Sequence, residues 1–559
     1  MKLFRITLIC AAAIIMLGCT KETMDVSPVS SELDGAEVTA TAIAHGAFVA
    51  TKADYTDSYS DVESITDIVA GAWKSGDSFV ALEINGSTVT AVTFTTTGTG
   101  KSAEFKAAGA EEPDDNTQWV AVNGKAKVEN DMIVCTYDGQ DGTIGNVGNY
   151  DYVVAKAQGK APVFDFSSRE SKPLTFLMRL LLPAGIKDIE FNTGKEHNGG
   201  WDVNSAGKAT GTVSSTEKEA VKMLSMPAVS TAKQIAYLAV PAIDLMNSSD
   251  NRVAGLIVTI LSADKRKSQG KVTSMNLAPK GGHAGTFDMS DLELMARPLA
   301  SEAIKLGTVS YNGKDYPLGS WAPFNVGGDV PTSDEAIAGN LYSWGETEPK
   351  VSFSKNNYRW FNGSSYNTQL GYKYIGAAEG VPPFIEYWAA GGKGGQHGPG
   401  TYYDIGGTKF DVARVKWGSE WRMPSNEVST NILKDGTNLL LTNEIDTENK
   451  VIIDEYDPGA YTNSSNYTST KYGAVTIKAN GAELSLYRCS YTDNGSFTNS
   501  GTKSRYWTST TDYGNIIYDP NSGNYWNRAC QMRIDAGENY MNNKSWIWDG
   551  LRVRAVLNE

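Results

Sequence analysis

From about Gly46 to Leu294 the chain alternates short apolar runs with small polar clusters. SFVALEI (78–84), TVTAVTFTTT (88–97), WVAVNG (119–124), MIVCTY (132–137) and DYVVAKA (151–157) are β-branched or aromatic runs separated by Gly, Asn and Asp. Regular short strands between turn signals predict β-sandwiches. A second set follows in PLTFLMRLLLP (173–183), IKDIEF (186–191), IAYLAVP (235–241) and AGLIVTIL (254–261). FLMRLLL has the apolar content of a helix, but its length and flanking prolines favour a buried strand. The polar, Pro-bounded stretch Gln158–Pro173 is the predicted joint between the two sets.

Past Ala296–Glu302 the pattern shifts towards Trp, Tyr, Gly and Asn. Pro424-Ser425 followed by Glu427 reads as a helix start, with Ser425 as N-cap and acidic charge in the first turn. Trp417, Trp421 and Trp507 are assigned to the core. Arg422 and Arg552 are expected to anchor buried carboxylates or carbonyls, since a guanidinium makes several directed hydrogen bonds. In ACQMRID (529–535) the alternation predicts a strand with Cys530, Met532 and Ile534 inward. The residues on either side then fall on loops.

Those loops are rich in rings and carboxamides. Tyr and Trp give rigid contact area at small entropic cost, and Asn gives adaptable hydrogen bonding. The candidate ligand-binding residues are therefore Tyr513, Tyr525, Trp526, Asn527, Arg528, Asn539, Tyr540, Asn542, Asn543, Trp546 and Trp548. An ordinary Asn-rich surface over a core has the same composition, so both readings stand at this point.

The N-terminus reads as an address. Lys2 and Arg5 precede the mostly apolar run Ile6–Leu17, too short to span a bilayer and stay there. MLGCT then places Gly18 before Cys19, which resembles a bacterial lipoprotein signal: residues 1–18 removed, Cys19 lipidated, and 19–36 a polar tether to the outer membrane. Met16 stands where that family usually has Leu. A plain secretory signal with an incidental cysteine is the alternative. In an exported chain, Cys489 and Cys530 are the candidate disulfide and Cys135 a lone buried thiol.

Composition narrows the function. The chain has 559 residues, enough for roughly three or four domains. Its formal net charge of −14 disfavours nucleic acid as a partner. With only 4 scattered histidines, no metal site and no cofactor is expected. No Asp or Glu spacing singles out an acid–base couple, so the chain is not read as an enzyme.

Several motifs resemble known families. FVATKADY (48–55), AWKSGDSFVAL (72–82), TFLMRLLLPAGIKDIEF (175–191), AYLAVPAIDL (236–245) and LAPKGGHAGTFDM (277–289) resemble, in order, fimbrillin-like (Mfa-like) proteins. That resemblance implies two tandem transthyretin-like β-sandwiches, here 37–165 and 166–297. Many such proteins are type V pilus subunits, joined by strand addition after a protease cuts near the start of the first sandwich. Lys52 is the candidate cleavage site. GTVSYNGKDYPLGSWAPFNVGG (307–328), NLYSWGETEPK (340–350), VKWGSEWRMPSNEV (415–428), RYWTST (505–510) and GLRVRAV (550–556) resemble the FISUMP domain, covering 301–559. This implies an α+β fold similar to C-type lectins, with Ala555 where that family has Pro. EPK (348–350) replaces the E-P-N of calcium-dependent lectins, so ligand contact would rest on stacking and hydrogen bonds.

The expectation is a mainly β chain acting as a surface-exposed lipoprotein adhesin at a pilus tip. It would bind a host or bacterial glycan or protein and accept a strand from another pilus subunit. The alternatives are a monomeric glycan-binding lipoprotein and, third, an enzyme of the formylglycine-generating type.

Overall fold

The computed structural model describes residues 36–43, 73–110, 113–168, 170–192, 201–210, 221–242, 257–272, 284–311, 313–330, 332–354, 357–358, 404–435, 451–456, 472–493, 495–497, 501–511, 517–519, 524–526, 528–535 and 538–558. It is mainly β. The first body is one eight-stranded sheet. From edge to edge it runs Lys172–Pro173, Val153–Gln158, Gln118–Val122, Ser78–Asn85, Thr88–Thr95, Ser102–Ala110, Ala36–Ile43 and Val163–Asp165. The sheet curls over an aromatic core of Trp73, Phe79, Phe94, Phe105, Trp119, Phe164 and Phe166.

SFVALEI reads as nearly continuous because both faces of its strand are covered. Phe79 and Ala81 enter the aromatic core, while Val80 and Leu82 face a second one. That second core also holds Val122, Tyr152, Leu180, Leu224 and Ile260. It is therefore shared between the first sheet and the second body. The hairpin strand Met132–Cys135 pairs with Trp201–Val203 across the same junction, Cys135 opposite Trp201.

The second body packs two sheets. One has Thr175–Leu182 between Gln234–Pro241 and Ala284–Asp288. Every residue of Thr175–Leu182 is buried, which is the buried strand expected of FLMRLLL. The other sheet runs Val221–Ser225, Ile186–Asn192, Ile257–Ser262, Lys267–Val272, Met295–Ala296.

The third body mixes small sheets with short helices. Its first hairpin, Ile304–Tyr311 and Lys314–Trp321, is joined by the last strand, Val556–Leu557, which also pairs with Trp421–Arg422. The strand Val556–Leu557 thus closes this sheet. A second sheet runs Lys434–Asp435, Glu538–Trp546, Arg528–Asp535, Lys503–Thr511, and a third Val451–Tyr456, Ala474–Ala479, Ala482–Tyr487. Ser425 caps the helix Asn426–Ile432, its side chain accepting from the Val428 amide. Trp321, Trp344, Trp417, Trp421 and Trp507 are fully buried. Arg552 donates to the carbonyls of Gly339 and Cys489, as its anchoring assignment requires.

Asp411 caps the helix Val412–Trp417 and does more than cap it. Its buried carboxylate accepts from the amides of Ala413 at 2.9 Å and Arg414 at 3.2 Å, and from Gly407 and Met423 at 2.8 Å each. Burial pushes its pKa up to about 6, against the pull of those N–H groups. Among the described residues no helix is long and apolar enough to cross a membrane.

Candidate ligand-binding face

Cys19, Lys52, Tyr513 and Asn527 lie outside the described residues. All the remaining candidates except Trp548 sit on strands and not on loops, which corrects the sequence expectation. Tyr525 and Trp526 belong to the strand Asn524–Trp526, paired with Ile517–Asp519 so that Tyr518 stands opposite Tyr525. Arg528 opens the strand Arg528–Asp535. Asn539, Tyr540, Asn542 and Asn543 belong to the strand Glu538–Trp546. In the register Tyr540 stands opposite Arg533, Asn539 opposite Ile534 and Asn542 opposite Gln531. Asparagine is a poor strand former, but pairing on both sides overrides that preference. The inward set is as expected: Cys530, Met532 and Ile534 are buried.

Trp548 is corrected outright. It is 2% exposed and lies in the core of the third body, so it offers no surface to a ligand. The turn after Trp546 explains this. Trp546 accepts from the Asp549 amide and donates its own to the Asp549 carboxylate at 3.0 Å, folding the chain under. The Trp344 amide holds the Ile547 carbonyl at 2.8 Å, and the Ser343 hydroxyl holds that of Trp548 at 3.1 Å. Trp546 is half-buried and stacks on Trp548, with ring centroids 5.0 Å apart and planes 6° from parallel. The buried ring thereby fixes the plane of the half-buried one.

The expected Cys489–Cys530 bridge is not made. Both are buried thiols in the structure, so neither offers sulfur to solvent. Thiol chemistry of the formylglycine-generating type has no exposed nucleophile at these positions. Cys135 is a buried thiol as well, and burial pushes its pKa up.

One feature beside the candidate strands escaped the sequence reading. Arg505 and Arg533 stand directly opposite in the sheet, a like-charge pair that is unfavourable alone. Asp535 resolves it. Arg505 grips that carboxylate with both terminal nitrogens, the Nη2 contact being 3.2 Å, and Arg533 Nε donates to it at 2.6 Å. Arg488 donates to the Asp535 carbonyl, and the Arg505 guanidinium sits 4.5 Å from the Tyr491 ring centre. Burial would raise the Asp535 pKa, but the two guanidiniums more than offset it and the net shift is downward. The readable signal was R-x-D at 533–535 on a strand facing another arginine.

No family model matches this chain, and no curated protein matches it. Among solved structures, a candidate cell adhesion protein from Bacteroides uniformis is similar over 46% of this chain and 94% of its own, at 13% identity and a TM-score of 0.29. A second, from Bacteroides ovatus, covers 46% of this chain and 95% of its own, at 15% identity and a TM-score of 0.27. A fimbrial protein from Bacteroides ovatus covers 93% of this chain and 98% of its own, at 10% identity and a TM-score of 0.22. At such TM-scores the likenesses carry no argument about role.

The depressed Asp535 pKa has a pH signature. The folded value lies below the unfolded one, so the stabilisation is present above the ordinary carboxylate range. It is lost as pH falls through the depressed value. Asp535→Asn should cost about 2 kcal/mol near neutral pH, because two guanidiniums lose their charged partner. Thermal melts of variant and parent should converge on acidification; a gap that stays constant down to pH 2 contradicts the assignment.

Proposed function

We propose that the chain is a cell-surface adhesin built as a terminal pilus subunit: it receives a neighbour's strand in its first body and presents a recognition face on its third. The observation that carries this reading is the position of the strand Ala36–Ile43. It lies inside the eight-stranded sheet, antiparallel to Ser102–Ala110 on one side and parallel to Val163–Asp165 on the other. Its core-facing residues are Val38, Ala40 and Ala42, all buried but small.

Small side chains bury little apolar area, so this strand is held mainly by main-chain hydrogen bonds. Any extended segment of suitable register supplies those bonds, which is the physics of strand addition. Residues 44–72, which include Lys52, separate this strand from Trp73. A cut after Lys52 would leave the strand attached by non-covalent contacts alone. The strand Val556–Leu557 is occupied within the third body, pairing with Trp321 and with Trp421–Arg422, which fits a subunit that accepts a strand. Trp546 and the paired strands Ile517–Asp519 and Asn524–Trp526 are the proposed contact surface, with stacking and hydrogen bonding as its chemistry and a surface glycan or protein as its ligand. Lipidated Cys19 would hold the uncut chain at the outer membrane.

The test is strand exchange. A specific protease site is placed at Lys52, the full chain is cut, and a labelled peptide of the sequence AEVTATAI is added. The cut protein should take up the peptide and the uncut protein should not. Refusal of the peptide by cut protein that remains folded sinks the reading.

A further inference from the structure

The helix Val412–Trp417 of the third body ends on the second body. Helix C-termini leave carbonyls without intrahelical donors. Here side chains of the other body supply them. Thr259 Oγ1 donates to the Val415 carbonyl at 3.0 Å, Ser268 Oγ to that of Lys416 at 2.7 Å, and Arg297 Nε to that of Trp417 at 2.5 Å. All three donors are buried. Thr259 and Ser268 lie on neighbouring strands of the five-stranded sheet, and Arg297 directly follows its last strand.

A carboxylate completes the joint from the second body. Glu190 accepts from Arg414 and from the Ser419 amide at 2.7 Å, and its other oxygen accepts from the Ser419 hydroxyl at 3.0 Å. Arg297 also meets Glu420, and the indoles of Trp417 and Trp421 donate to the carbonyls of Ala296 and Pro298 at 2.9 and 3.1 Å. The fit has no slack. A Cβ on Gly270 would stand 1.7 Å from the Val415 carbonyl oxygen, and one on Gly418 2.8 Å from Glu190 Oε2. Gly270 thus leaves room for the Val415 carbonyl, and Gly418 for the Glu190 carboxylate.

We infer that the second and third bodies form one rigid unit that unfolds cooperatively, locked by seating the last turn of this helix in a glycine notch of the five-stranded sheet. Opening the joint would break the Glu190–Arg414 pair and the bonds to three helix-end carbonyls together, because all of them span the same seam. The third body is therefore a fixed arm and not a module swinging on a linker. Any face it carries keeps a constant direction relative to the first body, with which the second shares a core. This holds whether or not the chain works in a pilus.

The test uses the full chain and two optical probes. Far-UV circular dichroism follows all sheets, while tryptophan emission is weighted towards the third body. The two melting curves of the parent protein should coincide. Gly270→Val should separate them, the emission midpoint falling by about 4 °C or more relative to the dichroism midpoint. Should that variant not fold, Thr259→Val combined with Ser268→Ala removes two hydroxyl donors without adding a clash, and the same separation is expected. Separate transitions in the parent overturn the inference, as do coincident curves at the parental midpoint in either variant.

Discussion

The third body depends on one buried carboxylate. Asp411 gathers four amides from three stretches of chain: the turn at Gly407, the helix start at Ala413 and Arg414, and Met423 beyond the tryptophan turn. Without it, those N–H groups would be buried with no acceptor, at a cost of roughly 1–3 kcal/mol each. The carboxylate sets where the helix begins, and so where its last carbonyls point. Trp417 and Trp421 follow, their rings 5.8 Å apart and near perpendicular. This is the segment that reaches the second body.

The structure thus chains its parts by different means. The first two bodies share apolar surface, and a hairpin from one pairs with a hairpin from the other. The second and third share polar contacts satisfied across a tight seam. Non-directional burial tolerates some sliding, whereas several directed hydrogen bonds fix one geometry. The recognition face proposed for the third body inherits its orientation from that seam.

Much of this was legible in the sequence. Alternation and turn residues gave the strand runs, and a uniformly apolar FLMRLLL between prolines gave a strand covered on both faces. The S-N-E start of the helix at Ser425, the core tryptophans and the inward side of ACQMRID were local patterns with local causes. What failed was non-local. Trp546 and Trp548 look equivalent in W-I-W, and only the turn closed by Asp549 and the bonds to Ser343 and Trp344 tuck one under the other. The Asn-rich segments look like loops until their partners in the sheet are known. Thiol spacing cannot report whether two sulfurs meet. Thr259, Ser268 and Gly270 carry no signal at all, because the carbonyls they serve lie about 150 residues away in the chain.

Native-state hydrogen exchange at the four amides bound to Asp411 tests the account most directly. If the carboxylate is the hub, the amides of Gly407, Ala413, Arg414 and Met423 exchange together, at the rate of global unfolding, and Asp411→Ala accelerates all four. Exchange at four unrelated rates, or four amides as fast as exposed ones in the parent protein, would contradict it.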